Sequence, residues 1–331
     1  MSVSDADGSG QDWRPAAGLD VLRLRAQVLA TLRAFFAARS VLEVDTPALS
    51  SAAVTDLHLD SFATAYAGGL VFYLHTSPEL PMKRLLAAGS GCIYQIAKVF
   101  RNGETGRLHN PEFSLLEWYR LGFDLERLMA EVTDLVMLVL GDRLPLQAPE
   151  YLSYGALFQR ALGLDPHTAT VAALTDCAAT HGLRAPPGMP QDDPNPWLDL
   201  LLSHCLEPRL GQGRLSFVYD YPAAQAALAR IRPDHPPVAE RFELYLDGIE
   251  LANGFQELTD AAEQRRRFER DNRLRAARQL PLLPVDERFL AALEFGLPDC
   301  AGVALGLDRL VMMAAGKTCV QDVLSFPLRR A

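Results

Sequence analysis

The sequence predicts an α+β fold, an antiparallel sheet flanked by helices, on three observations. A long helix-periodic stretch stands near the start; the later apolar runs are mostly short and fall in pairs; and helical segments are inserted between those pairs instead of following every strand. The 331 residues suffice for about two average domains or one large one.

Val21, Leu22, Val28, Leu29, Leu32, Phe35 and Phe36 follow helical spacing, and an extended piece over 41–44 stops before Pro47. Alternation predicts strands over 92–100 and 111–121, an antiparallel pair joined by a polar loop over 101–110. A helix follows over 125–140. The proline-dense stretch 184–196 reads as a surface excursion within a mostly helical segment that ends near 210. Beyond it come a short strand over 217–221, a hairpin over 242–255, a strongly charged helix over 260–279, and a strand over 302–306 running into an apolar helix over 307–315. Residues 1–17, acidic and rich in small side chains, read as a disordered tail with no targeting signal.

Composition excludes several classes. Forty-one acids against thirty-two bases give a net charge of -9, so the whole chain carries no footprint for gripping nucleic acid. The five cysteines, Cys92, Cys177, Cys205, Cys300 and Cys319, form no C-x-x-C pair and stand near no histidine cluster, which argues against zinc and disulfides and for a reducing, cytoplasmic setting. No apolar run is long enough to span a membrane. Gly316-Lys317-Thr318 resembles the end of a P-loop, but Val311 stands where the motif needs glycine and the triplet follows a helix. It reads as a helix C-cap with a solvated lysine.

Three constellations carry chemistry. On the strand 111–121 a period of two puts Phe113, Leu115, Glu117 and Tyr119 on one face, with Arg101, Arg107, His109 and Asn110 in the preceding loop as a plausible anion cradle. If Asp247-Gly248 closes the hairpin, Tyr245 pairs with Glu250, and Glu243 and Glu250 become diagonal neighbours about 7 to 8 Å apart at Cα. Magnesium carrying phosphate is the simplest cation for such a pair. Asn253, Phe255 and Glu257 have the opposite parity, and join Glu250 only if Gly254 or a neighbour makes a bulge. Last, a glycine-flanked strand delivers Asp308 and Arg309 to the first turn of a helix, where anions bind.

These pieces, in this order, resemble the catalytic core of class II aminoacyl-tRNA synthetases, in the lysyl branch. Motif 1 is Val41-Leu42-Glu43-Val44-Asp45-Thr46-Pro47, motif 2 runs from Phe100-Arg101-Asn102-Gly103-Glu104 through His109-Asn110-Pro111-Glu112-Phe113, and motif 3 is Gly306-Leu307-Asp308-Arg309. The lysyl-type stretch runs from Gly248-Ile249-Glu250 to Leu258-Thr259-Asp260. The resemblance implies one catalytic domain over 18–331, with motif 1 at about 22–50, motif 2 at about 92–121, a helical insertion at about 124–212 and motif 3 at about 301–315.

It also implies ATP and Mg2+. Arg101 would hold the α-phosphate and Arg309 the γ-phosphate as the catalytic pair, and Phe113 would stack on adenine. Asn102, Gly103, Glu104, His109, Asn110, Leu251 and Gly306 would complete the nucleotide site, and Glu243 with Glu250 would bind magnesium. Glu79, in Ser77-Pro78-Glu79, would take the amino group near the substrate carboxylate. Glu117, Tyr119 and Glu257 would receive the far ammonium, beside Asn253, Phe255 and Ala304. One departure concerns Gly103, which precedes Glu104 where the family has glutamate before glycine, so Glu104 or a backbone carbonyl would have to read the adenine amino group.

Motif 1 begins within the first fifty residues, leaving no room for the anticodon-binding OB-fold of lysyl-tRNA synthetases, a module of about a hundred residues. A stand-alone lysyl-type core resembles instead the paralogous ligases that activate (R)-β-lysine, or lysine, and join it to a lysine of elongation factor P. Ala304, where lysyl-tRNA synthetases usually have glycine, fits that branch, because its methyl favours an amino group one carbon along. The resemblance implies elongation factor P as protein substrate, no tRNA, no membrane and a homodimer joined through motif 1. Two rival readings are a tRNA-charging enzyme that reads no anticodon and a non-catalytic lysine-binding regulator. The arginines of the charged helix read as a solvated face threaded by pairs such as Glu263 with Arg267.

Overall fold

The computed structural model describes residues 13–331. Helix α1 (Leu19–Ala37) leads into β1 (Leu42–Glu43), β2 (Leu49–Ser50), β3 (Ala63–Ala65), β4 (Val71–Leu74), α2 (Glu79–Ala87), β5 (Ile93–Phe100) and β6 (Glu112–Leu121). Then follow α3 (Leu125–Leu140), β7 (Gln147–Ser153), α4 (Tyr154–Leu162), α5 (Val171–Thr180), α6 (Pro194–Leu201), β8 (Arg214–Pro222), β9 (Ile231–Arg232), β10 (Val238–Leu246) and β11 (Ile249–Gln256). The chain closes with α7 (Ala261–Ala277), α8 (Glu287–Gly296), β12 (Cys300–Gly306) and α9 (Leu307–Ala314).

Among the described residues one sheet of nine strands runs β1-β5-β6-β12-β11-β10-β8-β7, with β9 beside β10. Its interior is antiparallel, as the paired alternating runs predict, while the outer pairs β1/β5 and β7/β8 are parallel. Alternation along β6 sends Leu116 and Trp118 into the main core, where α1, α3 and α9 cover the sheet with Val28, Leu32, Leu135 and Leu310. Phe36 stacks on Tyr94 at 4.3 Å and meets Trp118 edge-on at 5.4 Å. The opposite face of β6 carries Glu117 and Tyr119 and is free for a site.

Helix starts follow their caps. The side chain of Asp124 accepts from the Arg127 N–H at 2.8 Å at the head of α3, and that of Asp260 accepts from the Glu263 N–H at 2.9 Å at the head of α7. Gly316, with φ 62, follows α9 in the left-handed region, as the C-cap reading requires.

Four expectations change. Residues 1–12 of the expected tail lie outside the described residues, but Ala16 and Ala17 donate to Ser325 O and Leu324 O at 2.8 and 3.1 Å, so the ordered body begins before residue 18. Within 124–212, α3 belongs to the main core. A second cluster, with Phe158, Trp197 and Leu201 packed on Tyr221 and Tyr245, begins only after β7, an edge strand the periodicity did not reveal. Residues 49–87, for which no element is predicted, form the small β2-β4-β3 sheet and α2. Finally, α7 is not wholly a solvated face. The Glu263–Arg267 pair forms at 3.0 Å, but Arg267 is buried and donates to Ala227 O and Ala229 O, and buried Arg275 donates to Pro281 O and Asp56 O.

Candidate active site

The β10–β11 hairpin sets the register of the site. Asp247 and Gly248 have φ 49 and 71, the left-handed pair that a tight two-residue turn needs, and Leu246 pairs with Ile249 and Tyr245 with Glu250, as expected. The ladder then skips a residue. Leu244 pairs with Ala252, leaving Leu251 as the bulge. Beyond it Glu243 lies opposite Asn253 and Arg241 opposite Phe255, so Glu243, Glu250, Asn253 and Phe255 share one face. The bulge is thus at Leu251 and not at Gly254. Gly254 faces Phe242, whose ring would lie 2.5 Å from any added Cβ.

On this face opens a cavity of about 1200 Å³. It is lined by every residue expected in the site except Pro78, Asn102 and Gly103. Gly103, with φ 80, turns the motif 2 loop, and the Asn102 N–H donates to Asp60 O at 2.7 Å, tying that loop to the segment over the cavity. Arg107 leaves the predicted cradle. Its guanidinium donates to Thr318 O at 2.8 Å, bracing the C-terminal segment.

One end of the cavity is acidic and buried. Glu117 accepts from Ser77 Oγ at 2.9 Å and from Tyr119 Oη at 2.7 Å. Burial and neighbouring Glu79 push its carboxyl up to about 8, and the same causes push Glu257 up to about 7 against the opposing charge of Lys83. Lys83, on α2, extends its ammonium to Glu79 at 2.6 Å and to Glu257 at 2.5 Å. Burial alone would lower its pKa; the two carboxylates raise it. Gln264 is buried on the cavity wall, and neither atom of its amide has a hydrogen-bond partner among the described residues. The floor is Gly302, where an added Cβ would run into the Tyr119 ring and come within 2.5 Å of Glu257 Oε1. Ala304, between Glu117 and Asn253 in the ladder, is next along β12 on that face.

The other end mixes arginines with carboxylates and is half-open. Asp308 does not pair with Arg309. It accepts from Arg25 at 2.6 Å and from the Ser114 N–H at 2.8 Å, locking α9 to α1 and β6. Arg309 is left to donate to Glu250 O at 2.7 Å and to meet His109 Nε2 at 3.0 Å, where burial and Arg309 lower the imidazole pKa. The Arg101 guanidinium lies over the Phe113 ring, 5.0 Å from its centre, with Glu104 at 3.5 Å. Glu243 accepts from Tyr221 at 2.7 Å and also from Arg241 and Tyr245. Burial, then Glu243 and Glu250, push Glu207 up to about 7.

No group of three or more His, Cys, Asp or Glu side chains forms a ready metal cage among the described residues. A hard cation here would keep phosphate oxygens and waters as most of its ligands, and Glu250 and Glu243 would be the protein carboxylates within reach of it. Sequence reasoning missed Lys83, Glu207, Arg241, Gln264 and Gly302. Only Lys83 had an available signal, its spacing of four from Glu79 in a helix.

The family described as tRNA synthetases class II (D, K and N) matches residues 11–330. An elongation factor P--(R)-beta-lysine ligase of Proteus mirabilis is 52% identical over 325 residues, covering 97% of this chain and 98% of that one. A protein of the same name from Vibrio cholerae is 51% identical over 328 residues, covering 98% of this chain and 100% of its own. The chain belongs to the class II tRNA synthetase family (D, K and N), in the branch that holds the elongation factor P--(R)-beta-lysine ligases.

Proposed function

We propose that this chain activates (R)-β-lysine, or a closely similar diamino acid, with ATP as an aminoacyl-adenylate and transfers it to a lysine side chain of elongation factor P. The observation that carries the reading is the asymmetry of the cavity, with Glu79, Glu117 and Glu257 clustered at one end and Arg101 and Arg309 at the other. A substrate with two ammonium groups and one carboxylate fits it in one direction only.

The substrate carboxylate is already ionised, so it attacks the α-phosphorus of ATP without a catalytic base. The bond to the bridging oxygen breaks and pyrophosphate leaves. Arg101 faces the phosphorus where negative charge develops, and Arg309 holds the γ-phosphate. Phe113 stacks on the adenine. Glu250 and Glu243 would hold Mg2+, which would supply charge neutralisation along the phosphates. Glu79 fixes the near ammonium while Glu117, Tyr119 and Glu257 fix the far one. In the second step the neutral amine of the acceptor lysine attacks the adenylate carbonyl, AMP leaves, and an amide forms as the amine loses its proton.

The chain acts as a homodimer. Leu42 and Leu49, both in the motif 1 region, are about half exposed. Burial of such a patch against its two-fold copy follows the symmetry of the family. No helix among the described residues is long and apolar enough to cross a membrane.

Mass spectrometry of elongation factor P, after incubation with the protein, ATP and each lysine isomer, tests the reading. A gain of one lysyl unit, greatest with the β isomer and absent without ATP, is expected. Transfer to tRNA alone would overturn it.

A further inference from the structure

Lys83 is a charged side chain for which the reaction above has no task. It is 1% exposed, yet it is no surface pair turned inward, because both its partners, Glu79 and Glu257, line the cavity. It rises from α2 and reaches the residue just beyond the end of β11, so its ammonium bridges the two carboxylates assigned to opposite ends of the same substrate. The other titratable groups facing this centre are Glu117 and Tyr119 from β6 and Cys300 from β12, while α8 contributes only the Phe289 ring, 5.9 Å from the ammonium. With its acids ionised, the pocket counts Glu79, Glu117 and Glu257 as negative and Lys83 as positive.

We propose that Lys83 is a specificity-determining positioning residue: its ammonium, clamped between Glu79 and Glu257, sets the amine end to the charge complement of an amino acid with two ammonium groups, and holds both carboxylates in place to meet them. The inference rests on the diamino acid reading. A substrate with one ammonium leaves a buried negative charge unmatched, and so does a diamino acid in a pocket without Lys83. An unmatched buried charge is strongly unfavourable.

The test is the pH dependence of KM for β-lysine in pyrophosphate exchange by the full-length protein, comparing the parent with Lys83→Met. Loss of the ammonium removes the charge that favours ionised Glu257, so the acid limb of the profile should move up by about one to three pH units, with KM for ATP unchanged. In the double variant Lys83→Met with Glu79→Gln, which loses one charge of each sign, the limb should return toward the parent. A merely structural lysine would lower stability and leave the limb where it was. Should Lys83→Met not fold, Glu79→Gln alone against the double variant reads the same quantity, the double variant having the higher limb. Coincident limbs in either comparison overturn the role of Lys83 in a working enzyme. A parent that exchanges with no lysine isomer overturns the functional reading instead.

Discussion

At the amine end of the cavity Glu117, Glu257 and Lys83 are at most 2% exposed, and each charge meets another side chain of the same chain. At the phosphate end the Arg101 and Arg309 side chains are 28% and 20% exposed, and their neighbours are largely loop groups and backbone carbonyls. Under the proposed function the contrast matches what each end would recognise. Discrimination by the number of ammonium groups needs a dry site, where one unmatched charge is expensive. A triphosphate carries charge enough to be held in partly wet surroundings, and positioning matters more there than counting.

The sharpest way to break the comparison is Glu257→Gln, which keeps the shape and removes a buried charge. An ammonium that loses such a partner costs about 3 to 5 kcal/mol, so KM for the amino acid should rise by two or more orders of magnitude while KM for ATP stays nearly constant. Equal impairment for both substrates would move Glu257 to the metal end. Steady-state kinetics with each substrate varied in turn settles it.

Arg101→Ala is the counterpart at the open end. It should lower the rate of pyrophosphate exchange by about a hundredfold or more, roughly 2 to 4 kcal/mol, with little change in KM for the amino acid. Arg309→Ala should act chiefly on KM for ATP. Near-normal exchange by Arg101→Ala would remove the assignment of motif 2.

The buried end should also be the pH-sensitive one. Glu117 and Glu257 have folded-state values of about 8 and about 7, above the ordinary carboxyl range. The stability these groups contribute is therefore fully present below that range and is lost progressively as pH rises from about 4.5 through about 7 to 8, by up to about 1.4 kcal/mol per pH unit for each group. Thermal melting without substrate should fall over that window. Added β-lysine should bind more tightly with rising pH, because its ammonium groups favour the ionised acids, and should flatten the fall. A melting temperature that rises from pH 6 to about 8.5 would contradict the burial of both acids.

Much of the phosphate end was legible because its residues sit in local patterns: an arginine before a loop, an arginine in the first turn of a helix, two glutamates across a two-residue turn. Parity along β6 likewise placed Glu117 and Tyr119 on the correct face. What failed depended on the sheet. The skip at Leu251, which brings Asn253 and Phe255 round to Glu250, leaves no mark in composition, since Leu251 and Ala252 are both core residues and either order reads as an apolar run. Gly254 looked like the bulge because glycine often marks one, yet here it makes room for Phe242. The signal at Lys83 misleads for another reason. A lysine four residues after a glutamate in a helix is ordinarily an exposed pair, and only the packing of α8 over α2 makes it a buried bridge.

The smallest expected effect tests the correction at Arg107. Sequence alone sets Arg101 and Arg107 at the two sides of one loop, a plausible anion cradle with His109 and Asn110. In the fold the Arg107 guanidinium donates to Thr318 O while its own carbonyl accepts from the Val320 N–H, so both ends of the residue serve the C-terminal segment. An exposed hydrogen bond of that kind contributes about 0.5 to 1.5 kcal/mol. Arg107→Ala should therefore lower the melting temperature by only a few degrees and leave KM for ATP within about twofold of the parent. The segment it braces also carries Val320 and Leu324 into the cavity wall, so some loosening of the nucleotide end is the most the change should produce. A tenfold rise in KM for ATP with unchanged melting would mean that the loop turns Arg107 onto the phosphates when ATP binds. The open end would then set three arginines on the phosphates instead of two.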